Sequence, residues 1–240
     1  MDIEILYQTD DFIAVNKPCG VLVHRTAIAT IEADEQYLLQ MVRDKVGKHL
    51  YPIHRLDRPT SGVVIFALSS KVASELSQRF NTSEIRKEYI ALVRGWFTEP
   101  TISTREVKNE KGTLKEAETE FIPSEQFTLN HPIANHPTAR YSIIKCYPKT
   151  GRWHQIRQHL AQLRHYIIND RVHGDNKHNR LFKYELGIEP IYLHAHTVTL
   201  TTNSGNSITI KAPTPPHWKQ LRDIIASQDS ESQKTQDNGN

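Results

Sequence analysis

Between positions 54 and 62 the chain reads His54-Arg55-Leu56-Asp57-Arg58-Pro59-Thr60-Ser61-Gly62. One carboxylate stands between two guanidinium groups, followed by a proline, two hydroxyl side chains and a glycine, a composition that favours a fixed loop over a helix or a central strand. Arginine keeps its charge and can donate two parallel hydrogen bonds to a carboxylate, so a neighbouring Arg favours an ionised, oriented Asp57. Such a group suits a nucleophile or a cation stabiliser better than a general acid. Short Arg-Asp-Arg clusters are more often surface salt bridges than catalytic sites, and these nine residues alone leave that alternative open.

The flanking sequence supplies elements that would position the loop. Pro59 biases Arg58 toward extended geometry, and Gly62 frees the backbone before the apolar run 63–68, which places Asp57 on a loop entering a buried strand. Upstream, 3–7 and 12–16 read as a hairpin, and Pro18 and Gly20 end its second strand in a turn that exposes the Lys17 amine. The apolar stripe Leu38, Met41, Val42 and Val46 predicts an amphipathic helix over 35–48, and Ser69 or Ser70 caps a second helix over 71–80. Alternation over 85–96 predicts a strand with Lys87 and Tyr89 on one face. Segments 101–107 and 114–122 form a hairpin around 109–112, a plausible substrate-contacting insertion, and 123–140 is read as loop because it is polar and holds three prolines.

A strand over 141–147 leads through a turn at Thr150-Gly151 into a helix ending near Arg164. Its Ile156, Leu160 and Leu163 share a face, and Arg157 lies beside that stripe, a partly buried cation in need of an anion for which Asp57 is the candidate. Residues 173–180 read as a polar loop, 193–202 and 208–212 as strands turning at 203–206, and 217–226 as a last helix. The polar, aromatic-free stretch 227–240 is expected to be disordered.

At 240 residues the chain is long enough to bury a full core without staples. It has no apolar run of the roughly 18 residues needed to cross a membrane and no signal peptide, so a cytoplasmic location is the default. Cys19 and Cys146 fit no metal pattern and read as reduced thiols. His194-Ala195-His196 places two imidazoles on one strand face, but neither HExxH nor a cysteine pair accompanies them, so no metal is assigned. The net charge of +3 announces no partner by itself. Between 140 and 190, however, ten Lys and Arg face four acids, a local basic excess suited to a polyanion.

The 54–62 stretch resembles the catalytic motif of the RluA-type pseudouridine synthases, and three further stretches are similar to motifs of that family: Val15-Asn16-Lys17-Pro18 with Gly20, the 150–157 segment Thr-Gly-Arg-Trp-His-Gln-Ile-Arg, and Leu193-His194-Ala195. Ile167-Ile168-Asn169-Asp170 departs from the family pattern in carrying Asn169 where glycine is usual, although asparagine tolerates the left-handed conformation. The resemblance implies an α+β pseudouridine synthase fold over 1–226 without an S4 domain: a mixed, largely antiparallel central sheet flanked by helices, with a catalytic cleft. It implies Asp57, Tyr89 and Arg157 as catalytic residues, with Arg157 pairing Asp57, Tyr89 contacting the flipped uracil, and Arg55 filling the RNA stack. Arg58, Lys87 and Arg152 join Arg55 as expected substrate-binding residues. No metal or cofactor is implied; the partner is RNA, with no membrane and no obligate protein partner, and the chain acts as a monomer. The 22–25, 58–61, 173–175 and 179–180 stretches are similar to a branch that modifies uridine 65 in the T stem of tRNA, which makes tRNA the preferred substrate; the alternatives are an rRNA synthase of the same family and a non-catalytic RNA-binding module using the same basic surface.

Overall fold

A computed structural model describes residues 2–24, 37–82, 84–201 and 205–237. In chain order it contains β1 (Ile5–Gln8), β2 (Phe12–Lys17), α1 (Leu38–Val46), β3 (Tyr51–Pro52), β4 (Ser61–Ala67), α2 (Ser70–Asn81) and β5 (Arg86–Arg94). Then come β6 (Thr101–Ser103), β7 (Val107–Lys108), β8 (Leu114–Lys115), β9 (Thr119–Leu129), β10 (Ala139–Pro148), α3 (Gln155–Gln162) and α4 (Asn176–Arg180). A π-helical turn (Leu181–Glu185), β11 (Leu193–Thr201), β12 (Ser207–Lys211) and α5 (Pro216–Asp237) complete it.

Ten strands form one sheet in the order β1-β2-β4-β11-β5-β10-β9-β6, with β3 added on β4 and β12 on β11. Among the described strands only β4 and β11 run parallel, which makes the sheet mixed and largely antiparallel, the α+β arrangement expected. Helices cover both faces because strand side chains alternate. Leu38 and Val42 of α1 pack with Ile13, Val15, Val64 and Phe66, whereas Leu76 and Phe80 of α2 pack with Ala14, Val63 and Ile65 on the other side. In the second half of the sheet Ile156 and Leu160 of α3 lie against Ala91, Val93 and Ile144, and Trp218 and Leu221 of α5 against Leu92 and Ile143.

The two halves meet along a short seam. β4 and β11 pair only through Ser61 with His194 and Gly62 with Ala195. Gly62 has φ 116°, and a Cβ there would overlap the Ala195 carbonyl, so the close approach needs glycine. The Ser61 hydroxyl and His194 Nδ1 are 2.9 Å apart and His194 Nε2 lies 3.3 Å from the Ala212 carbonyl. One nitrogen of that imidazole thus faces across the seam and the other ties β11 to the chain leaving β12. This join immediately follows the 54–60 loop.

Several expectations are corrected. Residues 123–129 are not loop but the second half of β9, in register with β10 from Leu129 opposite Ala139. The register shifts between Ile143 and Ile144, opposite Glu125 and Pro123, so a bulge accommodates the proline that hid the strand. The 173–180 stretch is partly helical, since Asp175 caps α4 by accepting from the Lys177 amide at 2.9 Å. α5 continues to Asp237 rather than ending at 226, through residues that include Glu, Gln and Lys and no Gly or Pro. Arg25, the 35–36 start of the first helix, the turn at 203–204 and the end of the tail at 238–240 lie outside the described residues. No described helix is long and apolar enough to cross a membrane.

Candidate active site

The 54–60 loop is fixed from several sides before any substrate is considered. Its Asp57 carbonyl accepts from the Thr60 amide at 3.0 Å, closing a turn. His54 stacks on Phe80 with centroids 4.4 Å apart and its Nε2 accepts from the Ile65 amide at 3.1 Å. Burial, reinforced by the Lys87 charge, takes this imidazole down to about 3, which keeps it neutral and able to accept. Lys17, expected at the surface, is fully buried: its Nζ donates to the carbonyls of Pro18, Val21 and Arg58. The Gly20 amide also donates to Arg58 O, and Arg58 Nε donates to Gly20 O. The 17–21 turn and the 54–60 loop therefore act as one rigid body. Burial pulls the Lys17 amine down to about 7 against the opposing influence of Cys19 and Asp57.

Arg157 reaches Asp57 across the seam, as expected, with Nη1 3.0 Å from Oδ2. Its principal partner is Asp170, which sequence reasoning did not assign to it. Nε and Nη2 donate to Asp170 Oδ2 and Oδ1 at 2.7 and 2.8 Å, a two-pronged fork, and Asp170 Oδ1 also accepts from the Val172 and His173 amides. The Arg157 side chain is 3% exposed and that of Asp170 1%, against 21% for Asp57. Burial opposes the charge on Asp170, yet the Arg157 fork and the two amides hold its carboxyl below the usual carboxylate range. Asn169 provides the turn at φ 62°, and its side chain donates to the carbonyls of Ile188 and Pro190. The turn that carries Asp170 is thus braced without glycine. The signal in the sequence was an aspartate closing an apolar run within helix distance of Arg157.

Two cavities meet at Asp57. The smaller, of about 120 Å³, is lined by Asp57 with Thr60, Lys87, Tyr89, Arg152, His154 and Arg157 among others. Strand alternation on β5 puts Lys87 and Tyr89 into it together. Burial, then the Asp57 charge, pushes the Tyr89 hydroxyl well above its ordinary value, so at neutral pH it is a protonated donor. Burial likewise lowers the Lys87 amine, whose Nζ is 3.3 Å from the Phe80 carbonyl. The buried Thr60 hydroxyl has no hydrogen-bond partner among the described residues. The larger cavity, of about 800 Å³, is lined by apolar Leu22, Val23, Val172, Pro190 and Ile191 and rimmed by Arg55, Arg58 and Arg171.

The remaining expected residues sit at these openings. Arg55 is 44% exposed and pairs with Glu110 at the tip of the β7–β8 hairpin, which therefore reaches over the site. That hairpin is moored to α3: Gln158 bonds both Lys108 N and Lys108 O, and His159 Nε2 lies 2.7 Å from Arg105 O. Arg152 lines the smaller cavity with its Nε on the Glu116 carbonyl. Among the described residues no group of three or more His, Cys, Asp or Glu is arranged to hold a metal ion.

Comparison with known proteins agrees with this geometry. The sequence profile of the RNA pseudouridylate synthase family matches residues 11–162. The chain is 40% identical to a tRNA pseudouridine synthase C of Vibrio parahaemolyticus over 92% of its length and 94% of the relative's. It is 42% identical to that of Vibrio vulnificus (91% and 94%) and 37% to that of Haemophilus influenzae (91% and 96%). Among solved structures, human RNA pseudouridylate synthase domain containing 4 superposes with TM-score 0.70 at 20% identity, covering 93% of each chain. Human RNA pseudouridylate synthase domain containing 1 gives 0.68 at 24%, covering 89% of this chain and 84% of that one. With a fold, a cleft and a full-length sequence likeness in agreement, the chain belongs to the RNA pseudouridylate synthase family, isomerases that convert uridine to pseudouridine within RNA.

Proposed function

We propose that this synthase acts on tRNA, at uridine 65 of the T stem, with Asp57 as the residue that attacks or stabilises the sugar. The observation that carries the reading is the placement of Asp57: Arg157 and His154 both approach it at Oδ2, and the residue lines both cavities where they meet. Breaking the bond from ribose C1' to N1 builds positive charge on the sugar, and one oriented carboxylate beneath the ring meets that demand. The uracil then turns, C1' joins C5, the C5 proton leaves and N1 gains one, so the exchange is isomeric and redox-neutral and calls for no cofactor.

Arg157 keeps Asp57 placed, Tyr89 and Lys87 line the base cavity, and Arg55 fills the stack left by the extruded nucleotide. Arg58 and Arg152 serve the RNA backbone near the two openings. Every residue named lies in one chain, and we read the synthase as a monomer acting in the cytoplasm. The preference for tRNA rests on the tRNA pseudouridine synthase C relatives, which match over nearly their whole length.

The test is to treat tRNA transcripts and rRNA fragments with wild type and with Asp57→Asn and to map pseudouridine by position. Wild type is expected to modify tRNA at position 65 and the variant to make no product. Product from the variant overturns the role of Asp57; product in rRNA alone overturns the substrate.

A further inference from the structure

We propose that His154 is a second positioning residue for Asp57, donating from Nε2 to the same carboxylate oxygen that Arg157 holds. This inference rests on Asp57 being the reacting carboxylate. His154 Nε2 lies 3.7 Å from Asp57 Oδ2, and its Nδ1 lies 3.0 Å from His173 Nε2. Trp153 stacks on the imidazole with centroids 3.7 Å apart and planes at 16°, which restrains the ring from turning. The backbone there has φ 52°, unusual for a residue with a side chain, and the side chain does not cap α3 although it occupies the cap position. The preceding turn is held by Gln155, whose Oε1 accepts from Arg152 N and Thr150 Oγ1. The His154 ring is therefore free for another task, and it lines both cavities at the point where they meet.

The direction of the two contacts sets the tautomer. One nitrogen of the His154–His173 bond must donate and the other accept. Were His154 Nδ1 the donor, its bare Nε2 lone pair would face a carboxylate. With His173 Nε2 donating instead, His154 presents Nε2–H to Asp57. Burial takes the His154 imidazole down to about 4 despite the Asp57 charge, so it is neutral at working pH and acts as a dipolar donor rather than a cation.

Geometry explains what this adds. A single bond from Arg157 fixes the distance of Oδ2 but leaves the carboxylate free to swing about it, whereas a second donor on Oδ2 fixes the plane and aims Oδ1. At 3.7 Å the contact is longer than a hydrogen bond, and such contacts in substrate-free enzymes commonly tighten when the complex forms.

The variants His154→Asn and His154→Gln separate this role from packing. Asparagine tolerates the left-handed backbone and can still accept from His173, but it has no group at the Nε2 position; the glutamine amide reaches that position. Using tRNA transcript as substrate, His154→Asn is expected to lower kcat about ten- to a hundredfold with KM within twofold, and His154→Gln to recover most of it. Unchanged kcat in His154→Asn, a change confined to KM, or no recovery by glutamine overturns the proposal. ¹⁵N chemical shifts of wild-type His154 test it without substitution, since the Nε2–H tautomer is expected and the Nδ1–H tautomer contradicts it. Asp57→Asn run in parallel tells the two failures apart: an active Asp57→Asn refutes the underlying role of Asp57, whereas a silent Asp57→Asn beside a normal His154→Asn refutes only the role of His154.

Discussion

The same chemical pair, an arginine with a carboxylate, occurs behind Asp57 and in front of it, in opposite surroundings. Behind it, Arg157 and Asp170 are 3% and 1% exposed and share two bonds, with amides from Val172 and His173 completing the carboxylate's shell. In front, Arg55 and Glu110 are 44% and 37% exposed, and Arg171 and Glu189 are 79% and 52%. The buried pair has no water to fall back on, so losing one partner leaves a stranded charge. The rim pairs exchange freely with solvent and with any incoming phosphate. Rigidity is thus concentrated where a reacting group must be aimed, and exchangeable charge where a polyanion must enter.

Substitutions at the two sites should separate cleanly. Asp170→Ala is expected to destabilise the fold by about 3–5 kcal/mol, because Arg157 would remain buried with one fewer partner. A urea midpoint close to that of wild type would show that the pair is not equivalent to a buried one. Next in size, Arg157→Lys keeps the charge but cannot fork, so kcat on tRNA should fall about a hundredfold with little change in KM. An unaffected rate would mean that Asp57 is aimed from elsewhere.

Acid should act on the interior and salt on the rim. Burial lowers the imidazoles of His54 to about 3 and of His154, His178, His194 and His217 to about 4. Unfolding returns them to about 6.5, so between those values the unfolded chain takes up more protons. Their contribution to stability is complete above about pH 6.5 and is lost as pH falls toward 4; the lowered Asp170 carboxyl adds a loss below its ordinary 3.8. Thermal midpoints measured from pH 8 down to 4.5 should drop steadily below 6.5, and a flat profile would contradict the buried neutral state. The smallest effect is expected at the rim: Glu110→Gln should change stability by less than about 1 kcal/mol while tightening RNA binding, and Arg55→Ala should reduce the salt slope of binding by roughly 0.7–1. Weaker binding by Glu110→Gln would show that the hairpin tip aids RNA rather than competing with it.

Legibility in the sequence followed the same division. The 54–62 loop could be read because its residues are consecutive, and β1, β2, β4, both early helices and α3 because their apolar periods are clean. Arg157 stood out by lying beside an apolar stripe. Its fork with Asp170 depended on a turn whose geometry no periodicity records. Lys17 was misjudged because lysine is ordinarily exposed, and three converging carbonyls that bury it belong to two separate loops. The later half of β9 carried a proline, and α4 lacked an apolar stripe, so each resembled a connection. His154 looked like one more residue of a helix start until its neighbours were known.

The seam between the sheet halves also bears on synthesis. Ser61 waits for His194, 133 residues further along, and Asp57 for Arg157, 100 residues on. Contacts so distant in sequence are slow to form. A nascent chain that has already extruded its aspartate is therefore expected to stay chemically mute, with competence arriving when β11 emerges and joins the two halves.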